Sequence, residues 1–87
     1  MGKLVGETSV YSREIGLEER FSYVASGNGV GQVEYHGWAQ HNSSQDAAVW
    51  RICRYTYDSS HRLTAIEWAG GDDGFNQIFA NRTTLAY

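Results

Sequence analysis

Cys53 is the only cysteine among the 87 residues. A lone cysteine excludes an internal disulfide and any zinc site built on cysteine pairs. No apolar run approaches bilayer length, and Met1–Gly6 lacks the long apolar core of a signal peptide. The chain is therefore expected to stay out of membranes and to reach its destination without secretion. A basic excess is missing too: the formal net charge is −3, from 7 Lys+Arg against 10 Asp+Glu. Proteins that grip a nucleic-acid backbone carry a clear surplus of cations, so nucleic acid is not an expected partner. Lysine itself is nearly absent. Lys3 is the single example, and every other cation is arginine, a residue enriched at protein interfaces.

Large rings compensate for scarce leucine and isoleucine, with three Trp, six Tyr and three Phe. Aromatic side chains bury much area each and suit strands. A chain this short forms one domain that buries only roughly 60–65% of its unfolded surface, so its stability is marginal without help. With disulfides and cysteine-held metals excluded, oligomerisation or attachment to a larger body is the expected source of extra stability.

The strongest local pattern is Ala48–Trp68. Two runs of β-branched and aromatic residues, Val49–Tyr57 and Leu63–Trp68, flank the polar cluster Asp58–Arg62, as in a β-hairpin with a short loop. Trp50 and Ile52 alternate with Arg51, and Ile66 and Trp68 alternate with Glu67. The expectation is one apolar and one charged face. Cys53 falls on the Arg51 side or in a covered position and reads as a buried, inert thiol.

Glu19–Ala25 alternates as a strand, Ser26–Gly31 turns the chain, and Gln32–Gln40 reads as a second strand with a bulge at Gly37. In Phe75–Phe79 the apolar residues fall at i, i+3 and i+4, which predicts a helical turn capped by Asp72 or Asp73. Arg82–Tyr87 reads as a last strand. Residues 1–18 form an N-terminal arm with one short strand near Thr8–Ser12, and residues 19–87 form the β-domain. The fold class is mainly β: a small antiparallel sandwich or open barrel of about five strands with one short helical turn.

Motifs that would carry chemistry fail on their context. The glycines of Gly27–Gly31 precede a strand rather than a helix, so a hairpin turn is the better reading than a phosphate loop. Asp72-Asp73 lacks the further oxygens of a calcium loop. His36, His41 and His61 form no ligand pair, and no serine sits in a GxSxG elbow. No catalytic, cofactor or metal site is expected. The interface candidates are Arg51, Arg54, Arg82, Trp38 and Tyr11. Exposed tryptophans would make a sugar-stacking surface, so glycan binding is kept as the alternative.

From Tyr35 to Tyr87, about three-fifths of the chain, an ordered set of segments resembles a family of small tailed-bacteriophage virion proteins. The segments are Tyr35-His36-Gly37-Trp38-Ala39, Ala48-Val49-Trp50-Arg51-Ile52, Ile66-Glu67-Trp68-Ala69-Gly70-Gly71, Phe75-Asn76-Gln77-Ile78-Phe79 and Asn81-Arg82-Thr83-Thr84-Leu85-Ala86-Tyr87. The family shows a Tyr-Ile-Gly-x-Ala strand, a Trp-x-Ile strand and a Trp-Ala-Asp-Gly turn, and closes on Phe-x-x-Ile-Trp-Asp-Asn-Arg-Ala-Ser-Leu-x-Tyr. Gly70 stands where Asp is usual, and Phe79-Ala80 replaces Trp-Asp. The resemblance implies a non-enzymatic structural protein of the virion, assembled in the bacterial cytoplasm. It would decorate the capsid or bridge head and tail proteins as a homo-oligomer. Independently of the resemblance, an arm with little core of its own suits lacing between subunits.

Overall fold

The computed structural model describes residues 7–11 and 16–87, with side chains described from Gly16 onward. The fold is mainly β. Strands β1 (Glu7–Tyr11), β2 (Leu17–Tyr23), β3 (Val33–Gln40), β4 (Ala48–Tyr57) and β5 (Leu63–Trp68) follow one another as an antiparallel meander in one open sheet. A two-residue strand, β6 (Gln77–Ile78), pairs with the start of β4, the stretch that β5 does not reach. Two short 3-10 helices cover Ala69–Gly71 and Phe79–Thr84. The expected antiparallel strands therefore form a single sheet, and the layer packed on it is the C-terminal segment rather than a second sheet.

The turns follow from their chemistry. Gly27, Gly29 and Gly31 all have positive φ, a region that costs a residue with a Cβ about 1–2 kcal/mol. The β4–β5 loop is organised by Asp58, whose Oδ1 accepts the backbone N–H groups of Ser60 and Arg62 at 2.9 and 3.0 Å. The Arg62 N–H bond leads the effects that hold the Asp58 carboxyl below its usual range. His61 adopts φ 63° at the tip. Its Nδ1 accepts the Gly29 N–H at 2.8 Å, which ties this loop to the glycine turn.

The hairpin of β4 and β5 departs from expectation in one respect with large consequences. Tyr57 lies opposite Leu63, but Thr56 lies opposite Ala65. One extra residue on β5 is a bulge, and a shift of one residue moves every later side chain to the other face. Cys53 rather than Ile52 is thus the partner of Trp68. Trp50 and Ile52 point to one face of the sheet, Ile66 and Trp68 to the other, so the expected single apolar face is corrected to two.

The core lies on the Trp50 side. Ala39, Trp50, Ile52, Ala69 and Phe79 are fully buried there, with Leu85 and Tyr87 packed against them. Trp50 Nε1 donates to the Ser44 carbonyl at 2.9 Å, so the indole is buried without an orphan donor. Two C-terminal expectations are corrected by the same packing. The helical turn forms over Phe79–Thr84 instead of Phe75–Phe79, and Arg82–Tyr87 forms no strand. Gln77 and Ile78 are held extended by pairing with β4, which delivers the Phe79 ring onto Trp50 with centroids 5.4 Å apart. Gly37 is not a bulge: it pairs in regular register with Arg20 and Ile52. A Cβ there would come within 2.6 Å of the Phe79 ring, so its missing side chain is the seat for that ring.

At the N-terminus, the strand expected near Thr8–Ser12 is β1, which pairs with β2. β2 starts at Leu17, inside the expected arm. The remainder of the arm, residues 1–6 and 12–15, lies outside the described residues.

Candidate binding face

The sheet face opposite the core carries an aromatic surface on which no other described element is layered. Alternation and register generate it. Glu19, Trp38 and Arg51 form one row across β2, β3 and β4, and Phe21, His36, Cys53 and Trp68 form the next. His36 stacks on Trp38 with centroids 3.7 Å apart and lies 4.3 Å from the Phe21 ring. Trp38 and Trp68 stand side by side at 5.8 Å. The Arg51 guanidinium lies over three rings, 4.4 Å from Trp38, 5.6 Å from Trp68 and 5.1 Å from Phe75. Such contacts contribute about 0.5–2 kcal/mol each, depending on desolvation. Ile66 (53% exposed) and Phe75 (46%) leave large apolar area open to water.

At one end of this face the sheet surface falls into a cleft of about 460 Å³ lined by Leu17, Gln40, Ser43, Val49 and Phe75. That volume is within the range of small-ligand sites. Leu17 faces Gln40 across β2 and β3. Val49 completes the wall next to an irregularity in the β4–β6 pairing, where the register shifts between Ala48 and Trp50. Phe75 is shared between the cleft and the Arg51 stack.

Beneath the rings runs a polar chain. His36 Nε2 is 2.7 Å from Glu19 Oε1, and His36 Nδ1 is 3.0 Å from the Tyr55 hydroxyl. Burial lowers the His36 pKa below its ordinary value, against the opposing pull of the Glu19 hydrogen bond. The neutral ring has one donor nitrogen, and an ionised carboxylate can only accept. Hydrogen-bond logic therefore assigns the proton to Nε2, which donates to Glu19, and Tyr55 donates to Nδ1. Cys53 is 1% exposed, and burial raises its pKa even though it hydrogen-bonds Tyr55. Burial likewise raises that of Tyr55. A thiol held protonated and out of reach is a poor nucleophile. These groups satisfy one another and tie β2, β3 and β4 together.

Of the interface candidates, the structure brings Arg51 and Trp38 together on this face. Arg54 belongs to the opposite face, where it pairs with Glu67 at 2.7 Å and lies 4.7 Å from the Tyr87 ring. Arg82 is also on the core side, over the Phe79 ring at 4.8 Å and donating to the Phe79 carbonyl at 3.3 Å. Tyr11 is opposite Glu18 in the β1–β2 register, and its side chain lies outside the described residues. Sequence reasoning missed Trp68, Phe75 and the Glu19–His36–Tyr55 chain. The signal for that chain was the odd-even placement of Glu19 and Phe21 against His36 and Trp38 on strands of known register.

Among the described residues no three His, Cys, Asp or Glu side chains converge as a metal site, and no helix is long and apolar enough to cross a membrane. No family model, no curated protein and no solved structure matches the chain.

Proposed function

We propose that this chain is a non-enzymatic structural component of a tailed-phage particle, docked on other particle proteins through its open aromatic face as capsid decoration or as a head–tail bridge. The observation that carries the reading is the pairing of Trp38 and Trp68 with Arg51 on a sheet face over which no described strand or helix is layered. Aromatic rings and arginine are the residues on which interface energy concentrates. A partner that covers Ile66 and Phe75 removes apolar area from water and adds stability to a domain with a small core. The ordered resemblance of Tyr35–Tyr87 supplies the particle context, including assembly in the host cytoplasm and self-association of copies. Against an enzyme stand the burial of Cys53 and His36 and the hydrogen bonds that commit His36 to Glu19 and Tyr55.

Glycan binding is the second reading, favoured by the side-by-side tryptophans. Sugar stacking needs a free ring face. Trp38 already has His36 at 3.7 Å and the Arg51 guanidinium at 4.4 Å. Much of its ring surface is thus in use, which weighs against this reading.

The deciding experiment measures the mass of the purified chain by light scattering, alone and with phage particles assembled without it. Rebinding that is lost in Trp68→Ser supports the proposal. A monomer that ignores particles and binds on a glycan array overturns it in favour of the second reading.

A further inference from the structure

Arg51 is packed among rings and meets no acid among the described residues. Arg20, Arg54 and Arg62 each meet a carboxylate, at 3.3, 2.7 and 3.1 Å. Arg51 makes no hydrogen bond or ion pair with a described residue; aromatic rings alone surround its guanidinium. Its Nε is buried with no partner, whereas its two Nη atoms are not among the buried unpaired atoms and the residue is partly exposed. A guanidinium set among three rings, with its Nη groups unbonded to any described residue, is preorganised for two-point contact with a planar carboxylate. Little side-chain entropy remains to be lost on binding.

The apolar cleft gives this acid a neighbour. Phe75 lines the cleft and also lies 5.1 Å from the Arg51 guanidinium, so cleft and guanidinium are neighbours on this face. In an extended polypeptide, side chains two residues apart point the same way about 6.6 Å apart. One segment laid along β4 therefore places an acidic side chain on Arg51 and an apolar one against Leu17, Val49 and Phe75.

We propose that the open face is a receptor for an extended segment of a partner protein carrying an apolar residue two positions from an Asp or Glu, with the carboxylate on the Arg51 Nη groups and the apolar side chain in the cleft. This deepens the assembly reading and rests on it. It defines the partner's chemistry: acidic, extended, and apolar at alternate positions.

The test uses the full-length, isotope-labelled chain and three probes: acetyl-Leu-Thr-Glu-Thr-Leu-amide, the same peptide with Gln for Glu, and hexanoate. The Glu peptide is expected to move the Arg51 Nε–H resonance and the Trp38 and Trp68 indole N–H resonances. Affinity should fall at least tenfold for the Gln peptide and for the Arg51→Met protein. Val49→Ser, which leaves Arg51 in place, should weaken the peptide without abolishing the response. Unchanged melting of both variants separates loss of site from loss of fold. Equal binding of the Gln peptide, a response to hexanoate but not to the Glu peptide, or no response to any probe overturns the proposal. If Arg51→Met still rebinds particles while Trp68→Ser does not, the acid-receptor idea fails and the assembly reading stands.

Discussion

Trp50 and Trp68 belong to adjacent strands of one hairpin yet point to opposite faces of the sheet, because the bulge opposite Thr56 and Tyr57 shifts the pairing by one residue. Trp50 is sealed in the core; Trp68 is only partly covered. Trp50→Ala leaves a cavity beside Phe79 and should destabilise the fold by about 3–5 kcal/mol. Trp68→Ala removes a ring that keeps some contact with water and leaves no sealed cavity, and should cost less, about 1–2 kcal/mol. Chemical denaturation of the two variants checks the contrast. Equal losses would mean that the open face is covered within the chain.

Gly37 and Phe79 form the tightest steric lock. A methyl at Gly37 would meet Phe79 at 2.6 Å and Trp50 at 3.2 Å. Gly37→Ala should therefore lose about 1–3 kcal/mol through overpacking. The backbone of Gly37 is not in the left-handed region, so the loss should shrink when Phe79→Leu makes room. The double-mutant cycle reads that coupling directly.

The glycine turn offers a comparison of two kinds of strain. Gly31 has φ 84° with open space around it, whereas Gly29 has φ 80° and lies against the Tyr57 ring. Gly31→Ala should cost about 1–2 kcal/mol from the backbone alone. Gly29→Ala should cost more, since the ring of Tyr57 is also anchored by its hydroxyl donating to the Val33 carbonyl at 2.6 Å. Thermal melts of both variants test the order.

How much of this was legible in the sequence depends on which physical rule governs each feature. The hairpin loop was readable because Asp58 through Arg62 carry turn chemistry locally. The positions of β2 to β5 were readable from alternation, whereas β6 was not and the strand expected at Arg82–Tyr87 did not form. The relative facing of Trp50 and Trp68 was not, because it depends on a single-residue bulge that no local pattern marks. The C-terminal helix was misplaced for a related reason: Phe75, Ile78 and Phe79 fit a helical period, but pairing of Gln77 and Ile78 with β4 overrides it. The open face was half legible. Trp38 and Arg51 were singled out as interface residues, while Arg54 and Arg82 proved to pack over Tyr87 and Phe79 on the core side.

His36 makes stability depend on pH in a direction that can be worked out. Its pKa in the folded chain lies below the ordinary histidine value, chiefly because burial disfavours the charged ring. In the interval between the two values the unfolded chain binds more protons than the folded one, so stability rises with pH there. The fold should be at full stability above the unfolded histidine value, about 6.5, and lose stability as pH falls from there to the folded value. Below both values the loss stops growing from this residue, and carboxylates such as Asp58, held low by the Arg62 N–H, govern the further decline. Melting temperatures measured from pH 8 to pH 5 should fall across this window in the native chain. In His36→Gln, which lacks the titrating ring, the fall should be much smaller. A native chain whose melting temperature stays flat or rises as pH drops through 6 would show that the Glu19 hydrogen bond outweighs burial and that His36 is charged in the fold.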